Sequence, residues 1–272
     1  MEKLKPELGI VQETLLMPLI GRVEISKKHP NFFKDEKAEE IFERLDFNKS
    51  RARKTMGEAG LLSMAVRAIK MDQAIKNFVY HHPKATILNV GAGLDTAFWR
   101  VDNSQIRWID LDLPDSIALR EQFLPPSQRN IHLAKSVFDY SWIEDIGDVS
   151  NGLFIQVPGV FPYIEKKIIK EFFQTVPQKL KGAEILFDVV STSGRFLVTQ
   201  AIKAIGMKEA ELKWGINDAK EILKWSDQIK IVKQESYFDN IDMSRSFYPT
   251  TNVAMGVNKI IKIGQFYHLK FV

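Results

Sequence analysis

The feature that most constrains this 272-residue chain is a short apolar run, ATILNV at residues 85–90, that passes at once into Gly91-Ala92-Gly93. A few β-forming residues ending on glycines are how a strand buried on both faces enters a tight turn. Two glycines there let the backbone come close to a ligand at the carboxyl end of the first strand of an α/β sheet. Further strand segments are expected at residues 106–111 (IRWIDL), 131–134 (IHLA), 153–157 (LFIQV) and 184–190 (EILFDVV), separated in part by helical stretches at 116–123 and 166–180. Strands alternating with helices predict a mostly parallel sheet covered on both sides. After Asn217-Asp218, which suits the cap of a helix AKEILKW, residues 229–238 and the alternating run 265–272 (QFYHLKFV) read as a closing, hairpin-like pair of strands.

Residues 1–84 have a different texture. An apolar helix is expected at 14–23, and a second at 35–45, where Asp35 suits the cap and Ala38, Ile41 and Leu45 fall on one face. A long helix is expected over 58–80, stopped by Pro83 after the His81-His82 pair. The expected organisation is therefore a helical N-terminal cap, residues 1–84, on an α/β domain of residues 85–272, with no internal repeat.

Composition closes several routes. The chain has no cysteine, which excludes a disulfide framework, a thiolate zinc site, an iron–sulfur cluster and a cysteine nucleophile. Its five histidines (His29, His81, His82, His132 and His268) show no i, i+4 pair of the kind a metal-binding helix presents, so no metal is expected. Thirty-eight basic against 34 acidic residues is a mild excess, and its densest run, KSRARK at 49–54, reads as a solvated face rather than a nucleic-acid site. The N-terminus, MEKLKPELGIVQE, lacks the apolar core of a signal peptide, and no stretch approaches ~18 consecutive apolar residues. A cytoplasmic protein with a small-molecule partner and no membrane partner is expected, and no pattern specifies an oligomeric state.

A dinucleotide fold favours G-x-G-x-x-G, and the sixth position here is Thr96, which disfavours a nicotinamide cofactor. S-adenosylmethionine, a nucleoside joined to a zwitterionic amino acid, needs no pyrophosphate site. It needs an acid after the second strand for its ribose hydroxyls, and Asp110 and Asp112 both stand there. Adenine needs donors and an apolar cover, available from Ser136, Val137, Phe138 and Asp139. The amino-acid carboxylate needs a cation, which Arg67 on the long N-terminal helix can supply. Taken singly, each has a plainer reading. Either aspartate suits a helix cap ahead of Pro114, Arg67 suits a snorkelling side chain, and Ser136 and Asp139 suit a turn. Tyr163 suits a packed aromatic, and Asp188, at the end of the fifth strand, faces substrate or caps a turn.

In combination the motifs resemble the leucine carboxyl methyltransferase family, which includes phosphatase-directed enzymes and bacterial tetracenomycin-type polyketide O-methyltransferases. The strings NVGAGLDTAFWRV (89–101), WIDLDLPDSIAL (108–119), SVFDYSWI (136–143), GVFPYI (159–164) and ILFDVVS (185–191) are similar to its motifs and stand in the same order. ETLLMPLIGR (13–22), FFKDEKAEEI (32–41) and QFYHLKF (265–271) resemble its bacterial N-terminal helices and last strand. The resemblance implies a class I methyltransferase, a Rossmann-like α/β fold with a mostly parallel sheet and an antiparallel C-terminal strand. It implies S-adenosylmethionine held by Arg67, the turn Gly91-Ala92-Gly93, Asp112 with Leu113, and Ser136-Val137-Phe138. Two positions depart from the pattern: many members have aspartate at Ser136, and many have glutamate at Pro158, the place before the glycine of the fourth motif. Tyr163 is the catalytic candidate, although a tyrosine with the ordinary pKa of about 10 is a poor base at neutral pH. The absence of a clear base favours a carboxylate or an acidic hydroxyl of a small molecule as acceptor. A fold that binds without turnover is the competing non-enzymatic reading, and a nicotinamide oxidoreductase the competing enzyme.

Overall fold

The computed structural model describes residues 10–46, 49–204, 210–241 and 247–272, with side chains throughout except at 10–15, 49–56 and 258–261. Seven strands form one sheet: β1 (Thr86–Val90), β2 (Arg107–Asp112), β3 (Asn130–Ala134), β4 (Leu153–Val157), β5 (Glu184–Val190), β6 (Ile229–Ser236) and β7 (Gly264–Phe271). Their order is β3-β2-β1-β4-β5-β7-β6. The first five run parallel, and β7 lies antiparallel between β5 and β6.

The five parallel segments are close to their expected positions, and for β1, β2, β4 and β5 the reason is that a strand buried on both faces must be apolar almost throughout, whereas β3 is a half-buried edge strand. Ile87, Trp108, Phe154 and Leu186 enter one core with Leu19, Ile20, Val23, Leu62, Ala65 and Val66 of the N-terminal helices. Their neighbours Leu88, Ile109, Ile155 and Phe187 enter the other core with Phe172, Phe173 and Val176. Each such side chain, fully removed from water, contributes about 1.5–3 kcal/mol.

Helices α1 (Ile10–Lys28), α2 (Glu36–Arg44) and α3 (Lys49–His81) precede the sheet, and α4 (Ala97–Val101) follows the glycine turn. Two helices are longer than the sequence suggested. Pro18 sits inside α1 without ending it, and α3 starts before Glu58 through a kink at Gly57. The helix α5 (Pro114–Glu121) starts on a proline, α6 (Trp142–Asp145) is a single turn, and α7 (Lys166–Lys179) covers the second core. The closing strands pair as expected but not as a hairpin, since α10 (Pro249–Ile261) lies in their connection. Neither α10 nor α8 (Thr192–Ala204) was visible in the sequence. Their described side chains are mostly exposed, so neither helix needs a long apolar stripe. The short α9 (Lys220–Leu223) lies where the AKEILKW helix was placed. The KSRARK side chains and the first nine residues lie outside the described residues.

Candidate active site

The first strand enters the glycine turn with Gly91 at φ 66° and Gly93 at φ 42°. A β-carbon on Gly91 would lie far inside contact distance of Val160 Cγ2. Gly91 N–H donates to Leu111 O at 2.8 Å, which extends the β1–β2 ladder into the turn. Asp112 then closes it, accepting from Gly93 N–H at 2.8 Å through Oδ2 and from Leu113 N–H at 2.7 Å through Oδ1. Burial pushes the Asp112 carboxyl above its ordinary value against the opposing effect of these two amides. Ala92 is buried, whereas the Leu113 side chain is exposed and offers an apolar surface beside the acid.

The two aspartates that the sequence left open have different surroundings. Asp110 is fully buried, accepts from Asn89 Nδ2 at 2.7 Å and Trp108 Nε1 at 2.9 Å, and pairs with Arg120 at 2.7 Å. It belongs to a polar rung across the sheet, continued where Gln156 Nε2 donates to Asn89 Oδ1 at 2.8 Å. Gln156 Oε1 is buried with no hydrogen-bond partner among the described residues.

Two strands along, Gly159 brings Arg67 into the same region. Gly159 has φ 71°, and a β-carbon there would collide with Arg67 Nη1. Arg67 comes from α3, pairs with Asp188 at 3.5 Å and touches Met64 Sδ at 3.4 Å. Asp188, at the end of β5, also accepts from Gly159 N–H at 2.5 Å and from the Tyr237 hydroxyl. Burial pulls the Arg67 guanidinium down, but Asp188 and the nearby phenols outweigh it, and the group is held above its ordinary value. Tyr163 lies in a 3-10 turn, Phe161–Tyr163, close enough to feel both Arg67 and Asp188. Burial pushes its phenol up, which disfavours the phenolate that a general base would need.

The segment after β3 is a turn. Ser136 Oγ accepts from Phe138 N–H at 3.2 Å, and the buried Val137 gives its carbonyl to Trp142 Nε1 at 2.8 Å. Phe138 is half-buried and meets Phe172 edge-on at 6.3 Å. Ser136 is therefore engaged in turn geometry, the plainer of the roles weighed for it.

Sequence reasoning missed a latch between the N-terminal helices and the glycine turn. Arg22 of α1 donates to Asp35 at 3.0 Å and to Leu94 O at 2.8 Å. Arg100 of α4 donates to Asp35 at 2.6 Å and grips Asp72 of α3 through two nitrogens at 2.7 and 3.0 Å. Thr96 Oγ1 also meets Asp35, at 2.7 and 2.9 Å, and Arg120 holds Gly93 O at 3.0 Å and Asp95 O at 2.7 Å. Asp35 caps α2 as expected, accepting Ala38 N–H at 3.0 Å, and it is also the buried anion of this cluster. Burial pushes its carboxyl up, but Arg100 and Arg22 with two hydrogen bonds hold it below the ordinary range. A concavity of about 660 Å³ opens on the outer side of this latch, between Phe32, Lys37, Gln73, Lys76, Trp99 and Arg100. Its lining includes none of the sequence-predicted site residues.

The leucine carboxyl methyltransferase profile matches residues 2–138, just over half of the chain. The chain belongs to the leucine carboxyl methyltransferase family. Tetracenomycin polyketide synthesis O-methyltransferase TcmP of Streptomyces glaucescens is 28% identical over 233 residues, covering 85% of this chain and 84% of that protein. Among solved structures, a DUF574 family protein from Streptomyces avermitilis matches with TM-score 0.60 at 12% identity, over 82% of this chain and 90% of its own. An S-adenosylmethionine-dependent methyltransferase from Anabaena variabilis matches with TM-score 0.54 at 13% identity, over 76% of this chain and 84% of its own. The fold is thus the class I, Rossmann-like methyltransferase fold, and the family's chemistry is methyl transfer from an S-adenosylmethionine-type cofactor.

Pro158 follows β4 directly, and the carboxylate that meets this turn comes from the next strand, as Asp188 bonded to Gly159 N–H. No helix among the described residues is long and apolar enough to cross a membrane.

Proposed function

We propose that this protein is an S-adenosylmethionine-dependent O-methyltransferase acting on a carboxylate or acidic hydroxyl of a small molecule. One observation carries the reading: the proposed cofactor groups form an unbroken contact series at the carboxyl ends of adjacent strands. Asp112 bonds Gly93, Gly91 packs on Val160, and Gly159 packs on Arg67. An acid for two ribose hydroxyls, a glycine turn for the methionine part and a cation for its carboxylate thus stand in the order in which such a molecule extends. The residues fit this cofactor. Both Asp112 oxygens, already fixed by one amide each, retain lone pairs for the diol, and among the described residues Arg67 has Asp188 and Tyr237 as its only oxygen partners. The unpaired Gln156 Oε1 is an acceptor of the kind an ammonium group needs. Val137 and Phe138, with exposed Leu113, supply the apolar surface for adenine.

When bound, the cofactor supplies a methyl group on a positively charged sulfur. Transfer of that methyl to an acceptor oxygen would make an O–C bond at the expense of the S–C bond, whose electron pair would stay on sulfur as a neutral thioether. A carboxylate acceptor becomes an ester with no proton to remove. The protein's part is positioning and exclusion of water. Tyr163, kept protonated, orients the acceptor by donating a hydrogen bond, and residues 1–84 serve as the lid, held to the turn by Arg22, Asp35 and Arg100.

The test is calorimetric titration with S-adenosylhomocysteine, followed by transfer of labelled methyl to a panel of carboxylic acids and phenols. Micromolar binding at one site per chain and label in an ester or ether are expected. No binding up to millimolar concentration overturns the proposal. Binding without transfer to any acceptor favours a ligand-binding role for the same fold.

A further inference from the structure

Tyr237 is a buried titratable group that the mechanism above does not use. It follows β6 directly, and its hydroxyl donates to Asp188 Oδ2, the oxygen that pairs with Arg67 at 3.5 Å. Its ring stacks on Phe266 at 4.5 Å and covers Gly264, so its place is fixed by packing as well as by the hydroxyl. The turn it begins is fastened to α3 a second time, three residues beyond Arg67. Lys70 pairs with Glu235 at 2.8 Å and donates to Asp239 O at 2.5 Å. Ser236 and Asp239 close that turn on each other, Ser236 N–H to Asp239 Oδ2 at 2.8 Å and Asp239 N–H to Ser236 O at 3.1 Å. Residues 67 and 70 lie on one face of α3, and both meet the end of β6 or its partner Asp188.

We propose that Tyr237 is a positioning residue for cofactor binding, which acts through Asp188 to keep the Arg67 guanidinium open to the cofactor's carboxylate. The proposal rests on the reading of Arg67 given above. Asp188 has two acceptor oxygens. Gly159 N–H takes Oδ1, and the Tyr237 hydroxyl shares Oδ2 with Arg67. With both oxygens held, Asp188 cannot turn to grip Arg67 through two short bonds, and the pair stays at 3.5 Å. Arg67 then keeps most of its donors and enough unshielded charge for a second carboxylate. Without the hydroxyl, Asp188 becomes an internal competitor for the same guanidinium. Burial pushes the Tyr237 phenol well above its ordinary value, with Asp188 adding to the shift, so it remains a donor at any working pH.

The experiment compares two ligands on Tyr237→Phe, which keeps the ring and its stacking on Phe266. S-adenosylhomocysteine carries the carboxylate, and 5′-methylthioadenosine has the same nucleoside thioether without it. The expected result is about a tenfold rise in the Kd of S-adenosylhomocysteine, the effect of losing one hydrogen bond to a charged group, with methylthioadenosine unchanged. Asp188→Asn, which keeps an acceptor for Gly159 but removes the charge that competes for Arg67, does not reproduce the selective loss, and in that background Tyr237→Phe costs S-adenosylhomocysteine binding little. Arg67→Met loses more, and adding Tyr237→Phe to it costs nothing further. Equal weakening of both ligands by Tyr237→Phe, or no weakening of either, overturns the inference. If Arg67→Met alone leaves the preference between the ligands untouched, the cofactor role of Arg67 fails, and the role of Tyr237 with it.

Discussion

Gly91 invites a ligand explanation, because a glycine after the first strand lets a cofactor approach. The structure gives it a second reason, and a double-mutant cycle separates the two. Gly91→Ala meets two obstacles: a φ of 66°, which costs an L-residue about 1–2 kcal/mol, and overlap of the new β-carbon with Val160 Cγ2, an overpacking worth about 1–3 kcal/mol. The single substitution should therefore lower stability by about 2–5 kcal/mol. Val160→Ala removes the colliding methyl and costs little by itself, since Val160 is only half-buried. In that background Gly91→Ala should cost only the backbone part, about 1–2 kcal/mol, which leaves a coupling of about 1–3 kcal/mol between the sites. Urea denaturation of the four proteins measures it, with constant m-values as the check that only stability changed. S-adenosylhomocysteine titration of the double variant then asks whether any room for the cofactor was lost. If Gly91→Ala costs the same with and without Val160, the close packing of the first and fourth motifs has no energetic weight, and Gly91 is constrained by its backbone angle alone.

Two further outcomes follow from the site and its latch. Arg67→Met and Asp112→Ala should each weaken S-adenosylhomocysteine binding by about 1.5–3 kcal/mol, roughly ten- to a hundredfold, through lost charge-assisted bonds; unchanged titration curves for both would remove those roles. Arg100→Met strands the buried Asp72 and leaves Asp35 with Arg22 as its remaining guanidinium, and should cost about 3 kcal/mol or more of stability in urea. Since Arg100 and Arg22 hold Asp35 below its ordinary range, its contribution is complete above about pH 3.9 and is lost as pH falls through the lowered value. The stability difference between wild type and Arg100→Met should therefore narrow as pH falls through that lowered value, and a difference that does not change with pH would refute the role of Asp35 in the latch.

What the sequence disclosed and what it hid divide along one physical line. The four inner parallel strands are legible because burial on both faces leaves them almost continuously apolar, so that each carries its signal within a few residues. Even the polar rung is written locally, as one polar residue inside an apolar run at Asn89, Asp110 and Gln156, all on the face that holds Ile87, Trp108 and Phe154. Alternation places these three side by side, and that pattern would have set Asp110 apart as a buried partner of Asn89 while leaving Asp112, at the strand's end, to the turn. The latch has no such local signal. Arg22 and Asp35 are 13 residues apart, Asp35 and Arg100 are 65 apart, and any of the three alone reads as a surface charge or a helix cap. The same holds for Tyr237 and Asp188, 49 residues apart, which meet only because β7 inserts between β5 and β6 and sets the end of β6 beside α3. Local pattern thus identifies the groups suited to contact the cofactor, whereas the groups that hold those contacts in place depend on topology, and their roles are open to test by the paired substitutions above.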